Sequence, residues 1–529
     1  MNKENFYDAI IIGAGLSGLT LGNILLTKGH KVLIIDKNPV PGGCVVNFKR
    51  KDFRFDSAIH FINGCGKDGI VDNIMKSFGA EKKVEWLHID NLIHWKDTQN
   101  NYEAHPPVWI DEFVEFLCKE FPAEAKNIRR FYRHYAKAIP AMFGIMQPGI
   151  WPKLKGFVLG MPAMIRVTKN MFKTVNDVVL KYFKNPALIE LVTLFCAPFG
   201  MDRKDESFVT WAMSELSYHV EGAWYPRGGA GAFTKALGDH FVEKGGELLL
   251  TNEVTDVEID QKTKLAKSVS CVDRRGNKNK FSSAVVVNTS DQVRFAKQIV
   301  PKGTFSEEHI KKMDHPTIKA LFMVYIGLDF DVKERGIETW EYWLLNSQWR
   351  NKEHYDKVFY KRDFSQIPCE VITFYSNGPD KTCCPPGKSL ISILQPCDIS
   401  SWQSLLEPDG TKGKTYYDEK EKCAWYFVDR LAELFNIPDL RKHIEVMEVA
   451  TPITQYQWNY ALNGCPIGYE FTVDSLKKAQ LFWSPVKNLF LAGQFTIPGG
   501  GMSAAMMSGW VASFVVKRAI KKYRKVIGG

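Results

Sequence analysis

Ala9-Ile-Ile-Ile-Gly-Ala-Gly-Leu-Ser-Gly18, followed by Lys31-Val-Leu-Ile-Ile-Asp36, is the stretch that decides the fold of this 529-residue chain. An uncharged apolar run enters Gly13-Ala-Gly15-Leu-Ser-Gly18, and a second run of the same kind stops at an acid. Each glycine has its own task in a strand, turn and helix unit. Gly13 permits the tight turn, Gly15 lets backbone approach a pyrophosphate, and Gly18 lets the helix lie close on the sheet. The spacing predicts a helix from about Leu16 to Lys28, with Leu16, Ser17 and Gly18 in its first turn. Unpaired N–H groups and the positive dipole end there would face the phosphates. Asp36, about 20 residues on, is placed to accept hydrogen bonds from ribose hydroxyls, with Lys37 beside it. The same spelling recurs as Gly64-Cys-Gly66-Lys-Asp-Gly69, but no apolar strand leads into it and it reads as an ordinary loop.

The opposite end carries a second glycine-rich turn. Asn488-Leu-Phe-Leu-Ala-Gly493-Gln-Phe-Thr-Ile-Pro498-Gly-Gly-Gly501 runs into a small-residue helical pattern from Met502. The two ends read together as halves of one flavin site, hence a bound FAD. Asn488 to Val516 is uncharged and long enough on paper to span a bilayer. Pro498 and the glycines after it would break such a helix, so the reading is strand, flavin-facing turn and buried helix. Ala9 to Leu26 is likewise explained by the nucleotide unit rather than by an export signal.

With 45% apolar residues the chain can bury a large core, and its length suggests two or three domains. Its 11 cysteines show no CxxC pair, which favours reduced thiols in a cytoplasm and leaves no zinc or iron–sulfur spacing. No metal site is expected. The net charge of +10 is uneven. Lys153, Lys155, Arg166, Lys169, Lys173, Lys181 and Lys184 stand among Phe157, Val158, Leu159, Met161, Met164, Ile165, Met171 and Phe172, with Asp177 the one acid. That pattern suits an amphipathic surface on an anionic membrane as well as a solvated basic face. No reader motif accompanies the charge, so nucleic acid is not expected as a partner.

Helical periodicity dominates from about Asp111 to Tyr218. Strand character returns around Trp224-Tyr-Pro-Arg-Gly-Gly229, then a helix over about Ala232–Lys244, strands at 247–250 and 254–259, and a parallel-type strand at Ala284-Val-Val-Val287-Asn-Thr. Alternating strands such as Leu321 to Leu328 and a helix over Asp418–Phe435 follow. The expected fold is α/β, a Rossmann-like FAD-binding domain of the two-dinucleotide-binding-domain, amine oxidase-like kind, with an inserted α+β substrate domain. The expected boundaries are 1–95, 223–300 and 485–529 for the discontinuous FAD domain, and 96–222 and 301–484 for the substrate and membrane-associating domain.

The order Gly13-Ala-Gly-Leu-Ser-Gly18, Asp36, Pro41-Gly-Gly-Cys44, Phe53-Arg-Phe-Asp-Ser-Ala-Ile-His-Phe61, Trp224-Tyr-Pro-Arg-Gly-Gly229 and Leu491-Ala-Gly-Gln-Phe-Thr-Ile-Pro-Gly-Gly-Gly-Met502 resembles the phytoene desaturase, carotenoid isomerase and retinol saturase group of FAD flavoproteins. Cys44 after the paired glycines and the ending at His60 look closer to retinol saturase, whereas Pro498-Gly-Gly-Gly501 looks more like bacterial desaturases. The resemblance implies that Gly42, Gly43 and Cys44 pass close to the FAD and that the Val254 backbone contacts adenine. It also implies that Gly493, Gly500, Gly501 and Met502 sit against the ribityl chain and isoalloxazine. The helix from Met502 would direct its N-terminus at the N1–C2=O edge.

A flavin exchanges hydride at N5, so the protein must hold a C–H or C=C there and exclude water. The expected reaction is saturation, desaturation or isomerisation of double bonds in a hydrophobic polyene or isoprenoid lipid, by a cytoplasmic protein bound peripherally to a membrane. NADH or NADPH could visit as transient electron donor. His60 is the candidate proton donor, with a purely structural histidine as the alternative; Tyr225, Arg227 and Glu470 are weaker candidates. The competing functions are an amine or porphyrinogen oxidase and a non-catalytic lipid or prenyl carrier on the same fold.

Overall fold

Buried apolar runs at Phe6–Ile12, Val32–Ile35 and the end of Lys278–Asn288 lie side by side as parallel strands in a computed structural model of the chain. The structure describes residues 6–57, 60–144, 150–260, 262–345, 352–366, 369–479 and 481–527. Glu247–Leu249 extends this sheet on one side and Leu489–Leu491 on the other, both parallel. Asn252–Asp260 and Leu265–Asp273 join it as an antiparallel meander on the lower half of Lys278–Asn288. Ala9, Ile10, Ile11, Leu33, Ile34, Val285, Val286 and Val287 have no exposure, as strands covered on both faces require.

One cover is the helix Leu16–Leu26, buried on nearly every residue. The closing helix Met502–Ile527 packs against it through Gly509, where a Cβ would lie 2.3 Å from the Ser17 carbonyl oxygen. The first and last helices of the chain are therefore pressed together backbone to backbone. The helix Gly229–Glu243 covers the same sheet from its own start. It begins before Ala232 because Gly228 adopts the left-handed conformation and Asp56 accepts the Ala230 N–H at 3.0 Å.

A second sheet runs in the order Ile444–Ala450, Ala320–Leu328, Ser389–Cys397, Cys369–Phe374, Glu341–Leu345, Ile93–Asp97, Tyr102–Ala104. Its neighbours are antiparallel except for Glu341–Leu345 with Ile93–Asp97, which run parallel. The helix Lys414–Leu434 closes one face, packing Phe427 on Phe322. It starts a turn earlier than Asp418, after Gly413, and Lys414 pairs with Asp418 on its first turn. A helical block, including Ile110–Glu120, Ala125–Tyr135 and Phe208–Glu221, lies between the chain segments of the two sheets. No described helix is long and apolar enough to cross a membrane; the segment from Asn488 resolves into strand, turn and amphipathic helix.

Glu206 is buried in this block with Oε2 lacking a partner, and burial pushes its carboxyl up to about 8. The folded state thus keeps a proton that the unfolded chain releases near the ordinary glutamate value, so stability falls as pH rises from there to about 8. Glu206→Gln is expected to raise Tm, and by more at pH 8.5 than at pH 5, with a gain of about 1–3 kcal/mol at the higher pH. Thermal melts at the two pH values check this; an equal or negative shift at pH 8.5 contradicts it.

Candidate functional site

The carboxyl ends of the parallel strands converge on Thr289. Its N–H and hydroxyl both donate to the Ile12 carbonyl, each at 2.9 Å. A Cβ on Gly13 would come within 2.7 Å of the Thr289 hydroxyl, and one on Gly493 within 3.0 Å of its carbonyl. Both glycines have positive φ, +106° and +109°, so the two glycine turns from opposite chain ends meet on one residue. A Cβ on Gly18 would collide with the Gly13 carbonyl at 2.1 Å, the close helix packing that the motif implies.

The second glycine pair lies directly on the first. Gly42 donates to the Ala14 carbonyl at 2.8 Å, and a Cβ on Gly43 would sit 3.4 Å from the Gly15 Cα. Gly15 and Gly501 have nothing within 4 Å of an added Cβ. Gly15 is the N-cap of Leu16–Leu26 and no side chain caps that helix. Leu16, Ser17 and Gly18 are buried in the first turn, and the helix start at Gly15 is uncapped with open space beside it, the arrangement an anion uses.

Asp36 accepts the Ala14 N–H at 2.7 Å through Oδ2 and the Asn38 N–H at 2.8 Å through Oδ1. It is half-buried, and burial pushes its carboxyl up, opposed by those two donors. Asn252 donates to the Asp36 carbonyl at 2.9 Å, tying in the strand that holds Val254. Val254 itself is buried opposite Cys271, beside a bulge. Glycines that open rather than fill space, an uncapped helix start and an acid facing inward fit the phosphates and ribose of FAD. Gly500 is held by the segment before it, since a Cβ there would lie 1.8 Å from the Ile467 carbonyl oxygen. Ser503, in the first turn after Met502, donates to Asn63 at 2.8 Å.

A clamp that local sequence did not announce closes over this cradle. The helix Pro452–Asn459 brings Trp458 to donate to the Gly43 carbonyl at 3.0 Å and Asn459 to donate to the Cys44 sulfur at 3.0 Å. Lys37 donates to the Gln457 carbonyl at 2.8 Å and lies 3.6 Å over the Tyr460 ring, which Arg294 also covers at 4.2 Å. Burial pushes the Cys44 thiol up to about 12, which keeps it a neutral wall residue. Thr289 was detectable as the end of the apolar strand Ala284–Val287; Trp458, Asn459 and Tyr460 carry no signal beyond composition.

The other candidates divide. Tyr225 donates to Asp56 and Arg227 forks onto Glu85 at 2.6 and 2.8 Å, so both anchor the start of Gly229–Glu243. Asp56 is pushed up to about 6 by burial. Glu470, also pushed up by burial, shares its surroundings with the half-buried Lys319, whose amine is 3.5 Å from Asp398. The second glycine motif is a tight loop into Ile70–Lys76 whose first N–H is taken by the chain's own Glu221 at 3.1 Å. His60 stands apart from all these: its Nδ1 lies 2.5 Å from Glu341 Oε1 while its Nε2 is buried without a partner. Ala58 and Ile59, just before it, lie outside the described residues, as do the side chains of Lys153, Lys155, Phe157 and Leu159. Among the described residues no group of three or more histidines, cysteines and acids could hold a metal ion.

Residues 16–516 match the family model described as flavin containing amine oxidoreductase. The chloroplastic prolycopene isomerase of Daucus carota is 24% identical over 523 residues, covering 96% of this chain and 80% of that protein. All-trans-retinol 13,14-reductase of Danio rerio is 23% identical over 516 residues, covering 92% of this chain and 82% of that protein. Among solved structures, cyclohexylamine oxidase from Brevibacterium oxydans IH-35A aligns with a TM-score of 0.56 at 15% identity, over 97% of this chain and 99% of that one. At that identity the likeness shows the fold alone.

Gly15→Val is expected to reduce the FAD content of the purified protein at least about tenfold, or ~1.4 kcal/mol of binding. Because nothing in the protein lies within 4 Å of a Cβ at this position, the Tm of the flavin-free protein should stay within about 1 °C of the parent. A variant that keeps its flavin would contradict the cradle.

Proposed function

The chain belongs to the flavin containing amine oxidoreductase family, and we propose that it works on the carbon–carbon double bonds of a hydrophobic polyene of retinoid or carotenoid type, as a saturase, desaturase or isomerase. The observation that carries this reading is the joint likeness, over nearly the whole chain, to a prolycopene isomerase and a retinol 13,14-reductase. When bound, FAD supplies hydride exchange at its N5 atom. Gly13, Gly15, Leu16, Ser17 and Gly18 would hold its pyrophosphate, and Asp36 and Lys37 its ribose. Gly42, Gly43, Cys44 and Val254 would line its adenosine side, and Gly493, Gly500, Gly501 and Met502 its ring side. The cofactor domain would comprise 1–95, 223–300 and 485–529, with 96–222 and 301–484 enclosing substrate.

The residues around His60 suit an apolar, planar ligand. Phe61 meets Tyr218 edge-on at 4.9 Å, Phe195 stacks on Tyr218 at 5.2 Å, and Trp343 meets Phe195 at 5.2 Å. Such walls bind conjugated carbon by contact and exclude water. In the reductive direction His60 would give a proton to the carbon beside the one that receives hydride; in desaturation it would take one. NADH or NADPH would visit the flavin transiently, a reading supported by Glu221 filling the helix start at the second glycine motif.

The protein would sit peripherally on a membrane from the cytoplasmic side. Val158, Ile165 and Phe172 are exposed close in sequence to Arg166, Lys169 and Lys173, an arrangement that suits the headgroup region of an anionic bilayer. Phe172→Glu together with Ile165→Glu is expected to weaken sedimentation with vesicles containing phosphatidylserine by at least about fivefold, leaving flavin content unchanged. Binding that is insensitive to these changes would overturn this surface.

The function is tested by incubating holoprotein with all-trans-retinol, phytoene or prolycopene in liposomes, anaerobically with NADPH for reduction and separately with a quinone acceptor for oxidation. The products are weighed by mass spectrometry, with oxygen uptake followed in a parallel aerobic assay. Gain of two hydrogens means saturation, loss of two means desaturation, and an unchanged mass with altered chromatographic retention means isomerisation. Oxygen uptake driven by an amine or porphyrinogen, with no polyene turnover, would instead establish the oxidase reading. Stoichiometric lipid binding with no turnover would establish the carrier.

A further inference from the structure

We infer that Glu341 is the positioning residue for proton transfer by His60, fixing its Nδ1 so that Nε2 is the nitrogen presented to substrate; this rests on the reading of His60 under Proposed function. Glu341 begins the strand Glu341–Leu345 in the second sheet and has no exposure. Its carboxylate accepts three side-chain donors: His60 Nδ1–H at 2.5 Å and the Thr373 hydroxyl at 3.0 Å on Oε1, and Trp343 Nε1–H at 2.6 Å on Oε2. Thr373 is the register partner of Glu341 on the adjacent strand, and Trp343 follows it on the same face of its own strand. Sheet pairing, not a loop, sets the position of the carboxylate.

A buried carboxylate surrounded by donors is an acceptor-only group, and a buried charge is tolerated when it is paired. Among the described residues His60 is the basic side chain within ion-pair distance of Glu341. The titratable groups facing this pair are Tyr218, from the helix Phe208–Glu221, and Tyr375, which follows Cys369–Phe374. Burial pushes both phenols well up, with the Glu341 charge adding to that rise, so both stay neutral. His60 is therefore the side chain set against the Glu341 carboxylate. Thr373 Oγ1 also lies 2.8 Å from Nδ1, which leaves that nitrogen fully occupied.

The other nitrogen is the unexplained one. Nε2 is buried and has no hydrogen-bond partner in the protein, although buried polar atoms are as a rule satisfied. His60 is followed by Phe61, part of the aromatic group with Phe195, Tyr218 and Trp343. It is followed in turn by Ile62–Asn63, where Asn63 accepts from Ser503 on the first turn of the closing helix. The orphaned nitrogen thus belongs to the segment that connects the aromatic walls to the glycine turn. Other histidines also leave one buried nitrogen unpartnered, such as His240, whose second nitrogen meets the Phe78 carbonyl; His60 differs in that its second nitrogen is set by a fully buried carboxylate.

The proton step balances simply. In saturation, the imidazolium gives its Nε2 proton to one alkene carbon, using the electron pair of the double bond, while the neighbouring carbon receives the hydride. His60 is left neutral with Nδ1–H still on Glu341, and it regains its proton from solvent between turnovers. In desaturation the same nitrogen takes the proton from carbon. Glu341 stabilises the charged imidazole in both directions and touches neither substrate nor cofactor.

The experiment uses holoprotein and two readouts. Histidine-selective 15N NMR of the parent protein is expected to show His60 protonated at Nδ1, and the opposite tautomer overturns the inference whatever the variants do. Glu341→Gln is expected to lower kcat roughly a hundredfold with KM changed less than about twofold, and to shift the alkaline limb of the kcat profile to lower pH. Flavin content should be preserved, and Glu341→Asp should recover part of kcat. Full kcat in Glu341→Gln beside a large loss in His60→Gln would overturn the role of Glu341 and leave that of His60 standing. Full kcat in His60→Gln would overturn the reading of His60 itself. Should Glu341→Gln fail to fold, Thr373→Val, which removes one donor to the same oxygen, is expected to shift the pH limb without loss of flavin; an unmoved limb overturns the proposal.

Discussion

The close approach of backbone at the carboxyl ends of the parallel strands is the constraint on which the rest of this structure depends. Gly13 and Gly493 come from opposite ends of the chain and press on the two faces of Thr289 at distances that leave no room for a side chain. Gly509 does the same between the closing and opening helices, against the Ser17 carbonyl. The opening of Leu16–Leu26 is thus held against the second turn of Met502–Ile527, at Gly509. A dinucleotide with a negative pyrophosphate and an electron-accepting ring needs positive dipole ends at both. The inserted sheet and helical block have to be accommodated around that junction.

Local chemistry made the cradle legible, and long-range pairing hid the rest. Gly13, Gly15, Gly18 and Asp36 could be read because strand, turn, helix and acid follow one another within one unit whose spacing is physical. The turn from Gly493 to Met502 was readable for the same reason. The helix at Gly229 started earlier than its apolar pattern because its cap comes from Asp56, on a distant hairpin. Nothing near Ile93–Asp97 signals that it pairs in parallel with Glu341–Leu345, and nothing near His60 signals its partner Glu341, 281 residues on. Trp458, Asn459 and Tyr460 reach the glycine loops from a helix placed by the second sheet, again without a local mark.

Burial, more than charge pairing, sets the electrostatic character of the interior. The Cys44 thiol and the phenols of Tyr218 and Tyr375 are held neutral, and the carboxyls of Asp36 and Glu470 are pushed up. The interior thereby offers few fixed charges to an apolar ligand. A polyene carries no charge of its own, and charge develops on it only as hydride and proton pass. A carboxylate-paired histidine beside aromatic walls is suited to that task, whereas a cationic amine would call for an anionic or carbonyl-rich lining. Glu221 fills the helix start that follows the second glycine motif, accepting the Ile70 N–H.

Anaerobic stopped-flow absorbance of the flavin band near 450 nm, a general property of oxidised flavin, tests the central claim most directly. Holoprotein is mixed with NADH or NADPH and then with retinol or phytoene in liposomes. The account requires the band to respond to a polyene, either bleaching with the lipid alone or recovering with the lipid after bleaching by a nicotinamide. A band that stays oxidised under every donor and lipid would contradict it, as would one that bleaches only with amines.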